Sequence, residues 1–290
     1  MVPAARRATP VPSRLVHTVP VRIPFRGAQA APLDPTLVAP MSVPAKPELT
    51  GGRRIGVLVV HGFTGSPASM RPWAEDLAAR GYAVEMPLLP GHGTRWQDMN
   101  KVTWDDWVAT VEGALDRLAA ENDAVVAAGL SMGASLCLRL AADRGEDLAG
   151  IVVVNVAVDT LRKDAVLLPV LQRFVPAFPG IRNDINKPGM DEIAYPVMPL
   201  KAAHSMSRGW AELRRDLPKI TIPVLYFHSA QDHVADVSSS KALHASLSSK
   251  DFEERTLEDS YHVATLDHDA PRIFAESAEF VERVTGQQQG

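Results

Sequence analysis

A serine set between two glycines, Gly129-Leu130-Ser131-Met132-Gly133, is the segment of this chain whose residue types most directly suggest chemistry. A serine hydroxyl is a weak nucleophile until a base takes its proton and nearby N–H groups stabilise the anion formed on attack. The pattern G-x-S-x-G alone is a moderate signal, because both residues are common. It gains meaning when a strand precedes it and a helix follows. Ala124–Ala128 reads as that strand and Gly133–Asp143 as that helix. A sharp turn between them strains the serine backbone, exposes its Oγ and leaves no room for side chains at 129 and 133. It also points the amide of Met132, at the helix N-terminus, toward the same space. A glycine-rich turn that only packs a helix on a sheet is the plainer reading; the flanking strand and helix favour the nucleophile.

A second oxyanion donor is expected from the loop after an earlier strand. His61-Gly62-Phe63-Thr64-Gly65 follows the apolar run Ile55–Val60, and the amide of Phe63 stands in the donor position. His61 could be a base, but at a strand end it more naturally orients its loop through hydrogen bonds. The base and its orienting acid should follow in the order Ser, Asp or Glu, His, each after a strand. Asp232 and Asp236 both follow the run Pro223–His228. Asp232 lies just past the strand end, where a tight turn can aim it inward. Asp236 sits where a carboxylate favours the dipole at the start of the next helix. Of nine histidines, only His262 and His268 follow the last β-rich run, Phe252–Leu257, and His268 falls at the start of the final helix. His262 is therefore the expected base and Asp232 its partner. His92, in Gly91-His92-Gly93, reads as a loop-stabilising residue. No HExxH or paired CxxC spacing suggests a metal, so neither a metal nor another cofactor is expected.

These positions need a scaffold, and the surrounding pattern supplies one. From Ile55 onward, short apolar runs alternate with amphipathic segments, the signature of a mostly parallel sheet with crossover helices. Strands are expected at 55–60, 82–86, 124–128, 151–154, 223–228 and 252–257. Helices are expected at 67–80, 103–120, 133–143, 202–213, 237–247 and 270–284. The rhythm breaks over about 155–200, which is rich in Pro, Asn and Asp and has short helical pieces and no strand pattern. Such an insertion is what a cap over an active site would look like.

The chain has 290 residues, room for one catalytic domain with an insertion. A net charge of −4 argues against a nucleic-acid partner. A single cysteine, Cys137, excludes an internal disulfide framework and fits a reducing, cytoplasmic setting; it reads as a small buried hydrophobe. No apolar run reaches the ~18 residues of a membrane span. Residues 1–50 hold ten of the 23 prolines, and Arg6, Arg7, Arg14, Arg22 and Arg26 all precede the first acid, Asp34. Prolines and arginines interrupt every candidate secretory h-region of ~7–15 residues. This segment is expected to be a disordered or loosely docked extension ahead of a domain over 51–290. A start site at Met41 and a strand around Val19–Phe25 are the other readings.

Several longer strings make the chain resemble the bacterial monoacylglycerol lipases and small carboxylesterases of the α/β-hydrolase superfamily. They are HGFTGSPASMRPWAE at 61–75, GHGTRWQDM at 91–99, GLSMG at 129–133, NVAVD at 155–159 and SYHVATLDHD at 260–269. The resemblance runs from about Gly56 to Val284. It implies an α/β-hydrolase fold with a small cap inserted after the strand that follows the nucleophile helix. It also implies a triad of Ser131, Asp232 and His262, with Phe63 and Met132 as oxyanion donors. Segment 181–192 resembles the cap stretch that lines the glycerol pocket, where Glu192 and the carbonyl of Ile181 would meet the head group. The sequence departs from the family at Ala134, usually a second glycine, and across Leu161–Pro179. Hydrolysis of a small ester, a monoacylglycerol, is the function implied, with transient contact to a lipid surface. A carboxylesterase without glycerol selectivity uses the same machinery, and a non-catalytic receptor of the same fold is the rival from another class.

Overall fold

Continuous apolar runs need cover on both faces, and the observed sheet has it. The computed structural model describes residues 35–286. In chain order the strands are β1 (Met41–Val43), β2 (Ile55–Val60), β3 (Ala83–Met86), β4 (Ala124–Leu130), β5 (Gly150–Val154), β6 (Ala177–Pro179), β7 (Val197–Pro199), β8 (Val224–Ser229) and β9 (Phe252–Leu257). The helices are α1 (Arg71–Ala79), α2 (Trp96–Met99), α3 (Trp104–Glu121), α4 (Met132–Asp143), α5 (Leu168–Leu171), α6 (Leu200–Asp216), α7 (Val237–Ser246) and α8 (Ala270–Gly286). Seven strands form one sheet in the order β1-β3-β2-β4-β5-β8-β9, parallel throughout except for β1 at its edge.

Side-chain alternation explains the runs. Ile55, Val57 and Val59 of β2 enter the apolar cluster under α1 and α8. Leu58 and Val60 enter the cluster under α3, α4 and α6. Strands buried on both faces read as unbroken hydrophobic stretches rather than alternating ones. Full burial of each such side chain stabilises the fold by about 1.5–3 kcal/mol. Helix α3 starts where expected: Thr103 and Asp106 close a capping box, a feature whose loss costs about 1 kcal/mol. Because the strands are parallel, the loops after β2, β4, β5, β8 and β9 all open on one end of the sheet. Ligands of open α/β sheets bind outside the carboxyl ends of the strands.

Two parts of the structure depart from the sequence expectations. Strand β1 pairs antiparallel with β3, and Val38 is buried, so chain ahead of residue 51 already packs on the sheet. Its three residues lie between Pro40 and Pro44, too few for a period to register. The insertion, expected to carry no strand, contains the antiparallel pair β6 and β7. Both are three residues long with proline at an end, the composition tolerated only at edges. The segment Val19–Phe25 lies outside the described residues.

Candidate active site

Ser131 follows β4 directly and has φ 57° and ψ −117°, a backbone conformation an L-residue rarely adopts. Conformations of this kind cost about 1–3 kcal/mol and persist only where the surroundings enforce them. The enforcement is steric. A Cβ at Gly133 would lie 2.1 Å from the carbonyl oxygen of Val60, and one at Gly129 would lie 2.4 Å from the backbone of Gly133. The first turn of α4 thus packs against the end of β2, which brings the following loop beside the serine. A Cβ at Gly62 would stand 4.0 Å from Ser131 Oγ. Met132 opens α4, so its amide is one of the first-turn donors without an intrahelical acceptor. Phe63 lines the same cavity as Ser131 and Met132, and no hydrogen bond among the described residues takes its amide.

His61 is fully buried and holds this loop from below. Its Nε2 accepts the amide of Leu89 at 3.2 Å, which leaves Nδ1 to donate to the carbonyl of Gly62 at 3.0 Å. Burial pushes its pKa down to about 4, only partly opposed by the bond to Gly62. A neutral ring with both nitrogens committed orients the loop, as the sequence suggested. His92 stacks edge-on against His61 and Trp107 and shares the same burial.

Asp232 and His262 meet through a 2.8 Å contact between Oδ2 and Nδ1, and both side chains are buried. The other carboxylate oxygen accepts the amides of Val234 and Ala235, each at 2.8 Å, so the turn after β8 fixes the acid. A carboxylate only accepts; Nδ1 therefore carries the proton, and in the neutral ring Nε2 is the acceptor. Asp236 does different work. It caps α7 through the Ser238 amide and takes the Leu161 amide at 2.7 Å. Burial disfavours the charged form of His262, but Asp232, with Glu192 and Asp184 behind it, outweighs that and raises its pKa.

Two residues that sequence reasoning did not select grip the backbone of His262. Asn155, buried after β5 with φ 45°, donates from Nδ2 to the His262 carbonyl at 2.8 Å and to the Ser229 hydroxyl at 2.9 Å. Asp184, on the insertion, accepts the His262 amide at 3.1 Å. Asn155 is followed by the apolar residues Val156, Ala157 and Val158, and nothing in that stretch singles it out. Nothing in the local sequence marks Asp184.

Ser131, His262, Phe63 and Met132 border a cavity of about 390 Å³, within the range usual for small-molecule sites. Leu168, Leu171, Phe178 and Met198 of the insertion line it, with Leu200, Met206 and Trp210 of α6. Ile181 and Glu192 line it as well. Glu192 Oε1 accepts the Asn183 amide at 2.5 Å. Burial raises the Glu192 pKa, against the opposing effects of that bond and of His262. Among the described residues, no group of three or more His, Cys, Asp or Glu side chains could hold a metal ion.

Residues 52–269 match the family described as serine aminopeptidase, S33. Over 244 residues the chain is 39% identical to the thermostable monoacylglycerol lipase of Bacillus sp. (strain H-257), covering 83% of this chain and 96% of that one. It is 26% identical over 246 residues to a carboxylesterase of Bacillus subtilis (strain 168), covering 83% and 98%. A solved structure from work on the metagenome-derived lipolytic enzymes LipS and LipT superposes with a TM-score of 0.80 at 36% identity, covering 85% of this chain and 98% of that one.

Proposed function

Because the chain belongs to the serine aminopeptidase S33 family, with the α/β-hydrolase fold, we propose that it is a monoacylglycerol lipase. It hydrolyses a monoacylglycerol to glycerol and a fatty acid through an acyl-enzyme on Ser131. His262 Nε2 takes the Ser131 proton as Oγ attacks the ester carbonyl, and Asp232 holds the ring in the required tautomer and stabilises the imidazolium. The amides of Phe63 and Met132 stabilise the oxyanion. His262 then passes the proton to the departing glycerol oxygen. Water, activated by the same imidazole, attacks the acyl-enzyme, and Ser131 recovers its proton as the fatty acid leaves.

The observation that carries the glycerol assignment is a cavity with a largely apolar lining in which the Glu192 carboxylate, mostly buried, lies close enough to His262 to influence its pKa. Leu168, Leu171, Phe178, Met198 and Met206 offer an acyl chain about 0.8 kcal/mol per buried methylene. Glu192, and the carbonyl of Ile181, which lines the same cavity, then meet the glycerol hydroxyls next to the leaving oxygen. The 39% identity to a monoacylglycerol lipase supports the same reading. The family description names a peptidase; the run of leucine, methionine and phenylalanine side chains along the cavity suits an acyl chain. The lower-identity carboxylesterase relative keeps a second reading in view, an esterase indifferent to glycerol.

Glu192→Ala separates the two. A site built to bond a substrate hydroxyl discriminates strongly against esters lacking it. Turnover of a monoacylglycerol should fall by about 1.5–3 kcal/mol, roughly 10- to 150-fold in kcat/KM. A nitrophenyl ester, assayed at a pH above the acid limb, should be hydrolysed almost as before. An unchanged ratio of the two specificity constants removes Glu192 from the head-group site and favours the plain esterase.

The insertion serves as the cap, and its outer side carries Leu161, Val166, Leu167, Val170 and Phe174 exposed to solvent. Five large apolar side chains exposed within residues 161–174, beside the proposed lipid-binding cavity, support transient contact with a lipid surface. No described helix is long and apolar enough to cross a membrane. The single cysteine, buried and without a disulfide, supports a cytoplasmic site of action.

A further inference from the structure

Asp184 belongs to the cap, yet its carboxylate is spent on the two loops that carry His262 and Asp232. Oδ2 accepts the backbone amide of His262 at 3.1 Å and that of His233 at 3.2 Å. Oδ1 takes Nδ1 of His233, the residue next to Asp232, at 2.8 Å. The Asp184 carbonyl adds a bond from the Val263 amide at 3.0 Å. The grip is returned. Asp267, fully buried on the His262 loop, accepts the cap amides of Asn186 at 2.7 Å and Lys187 at 2.8 Å, and holds the Tyr261 amide at 2.9 Å.

His262 is therefore pinned from two directions: Asn155 holds its carbonyl from the sheet, and Asp184 holds its amide from the cap. We infer that Asp184 is a positioning residue, through which the cap sets the placement of the His262–Asp232 pair. This rests on the reading of His262 as the base. The cap stretch 183–187 is then part of the catalytic frame, and any opening motion of the cap must leave it in place. Residues such as Leu168 and Phe178 could vary the acyl lining without disturbing the base, whereas Asp184 could not.

The charged and titratable groups facing His262 are Asp232 from the turn after β8, and Asp184 and Glu192 from the cap, with His233 beside them on Asp184 and Asp191 beside Glu192. Asp267 and Asp269, on its own loop, accept hydrogen bonds from neighbouring amides and the Ser260 hydroxyl. Asp184 is among the groups that favour the imidazolium. Removing its charge makes His262 easier to deprotonate. The free enzyme needs a neutral His262, so the acid limb of kcat/KM must move to lower pH.

The test measures pH profiles of kcat and kcat/KM for 4-nitrophenyl butyrate with the wild type, Asp184→Asn and Asp184→Ala, together with melting temperatures. Asp184→Asn keeps the shape and one acceptor, so it stays measurable even if Asp184→Ala does not fold. The wild-type limb should lie above 6.5, the ordinary histidine value. In Asp184→Asn it should move down by roughly 0.5 unit or more, with kcat at the plateau lower by about 10- to 100-fold, the scale of an ångström misplacement, and KM little changed. Comparing His233→Asn with the Asp184→Asn, His233→Asn double variant assigns the shift: it persists if His262 is its source. A limb that stays in place, whatever the melting temperature does, overturns the proposal and leaves Asp184 as a structural tie. His262→Ala run alongside keeps the two readings apart: if it retains activity, the base assignment has failed, and not the role of Asp184.

Discussion

Asp232 and Asp236 stand four positions apart with the same side chain and do different work. Asp232 accepts from the imidazole; Asp236 caps a helix and ties down the start of the cap. In Asp232→Asn the amide group can donate to Nδ1, which places the proton of the neutral ring on Nε2, where it blocks uptake of the serine proton. Loss of kcat should approach ~10⁴, the precedent in another triad enzyme. Asp236→Asn should lower the melting temperature slightly and leave kcat within a few-fold, because asparagine still caps a helix. Equal losses of kcat in the two variants would move the acid elsewhere. Both carboxylates could be sorted from the sequence because each role is local, a strand end or a helix start. Asn155 and Asp184 could not, since their partners lie about 107 and 78 residues away in the chain. Convergence at that range leaves no local pattern.

At the scale of elements, every long one was legible because burial on one or two faces writes a period into the residues. β2 begins and ends where its apolar run put it, and β9 spans the residues expected for the last strand. The short strands β1, β6 and β7 were not, because three residues with flanking prolines carry no period. Conformational cost is also concentrated around the site. Thr64, Ser131, Asn155, Asn183 and Ile193 are the described non-glycine residues with positive φ, and all lie on loops at the cavity or gripping its residues. The outer side of the cap has a separate property. Val166 and Phe174 are 80% and 79% exposed and do not line the cavity. If they touch a lipid surface, Val166→Ser with Phe174→Ser should weaken hydrolysis of micellar or vesicle-borne monoacylglycerol, while a water-soluble short ester is turned over unchanged. Binding to vesicles, followed by sedimentation, checks it; equal binding by wild type and variant would assign the patch another purpose.

For the molecule as a whole, a parallel sheet gathers five loops at one end, and the cap lies over them with a largely apolar lining that includes the Glu192 carboxylate. The fold, and the placement of Ser131, Asp232 and His262 on loops after strands, were readable in advance because chain order, strand ends and glycine spacing constrain one another. The head-group pocket rested on resemblance alone, since a lone glutamate in an irregular stretch looks like any solvated acid. The most direct measurement of what this molecule does is glycerol release from a purified medium-chain monoacylglycerol, comparing the wild type with Ser131→Ala. The wild type should release glycerol and fatty acid in equal amounts. Ser131→Ala, folded to the same melting temperature, should be slower in kcat by about 10⁴- to 10⁶-fold. Near-normal glycerol release by the folded variant would contradict the acyl-enzyme on Ser131, and with it the function proposed for this chain.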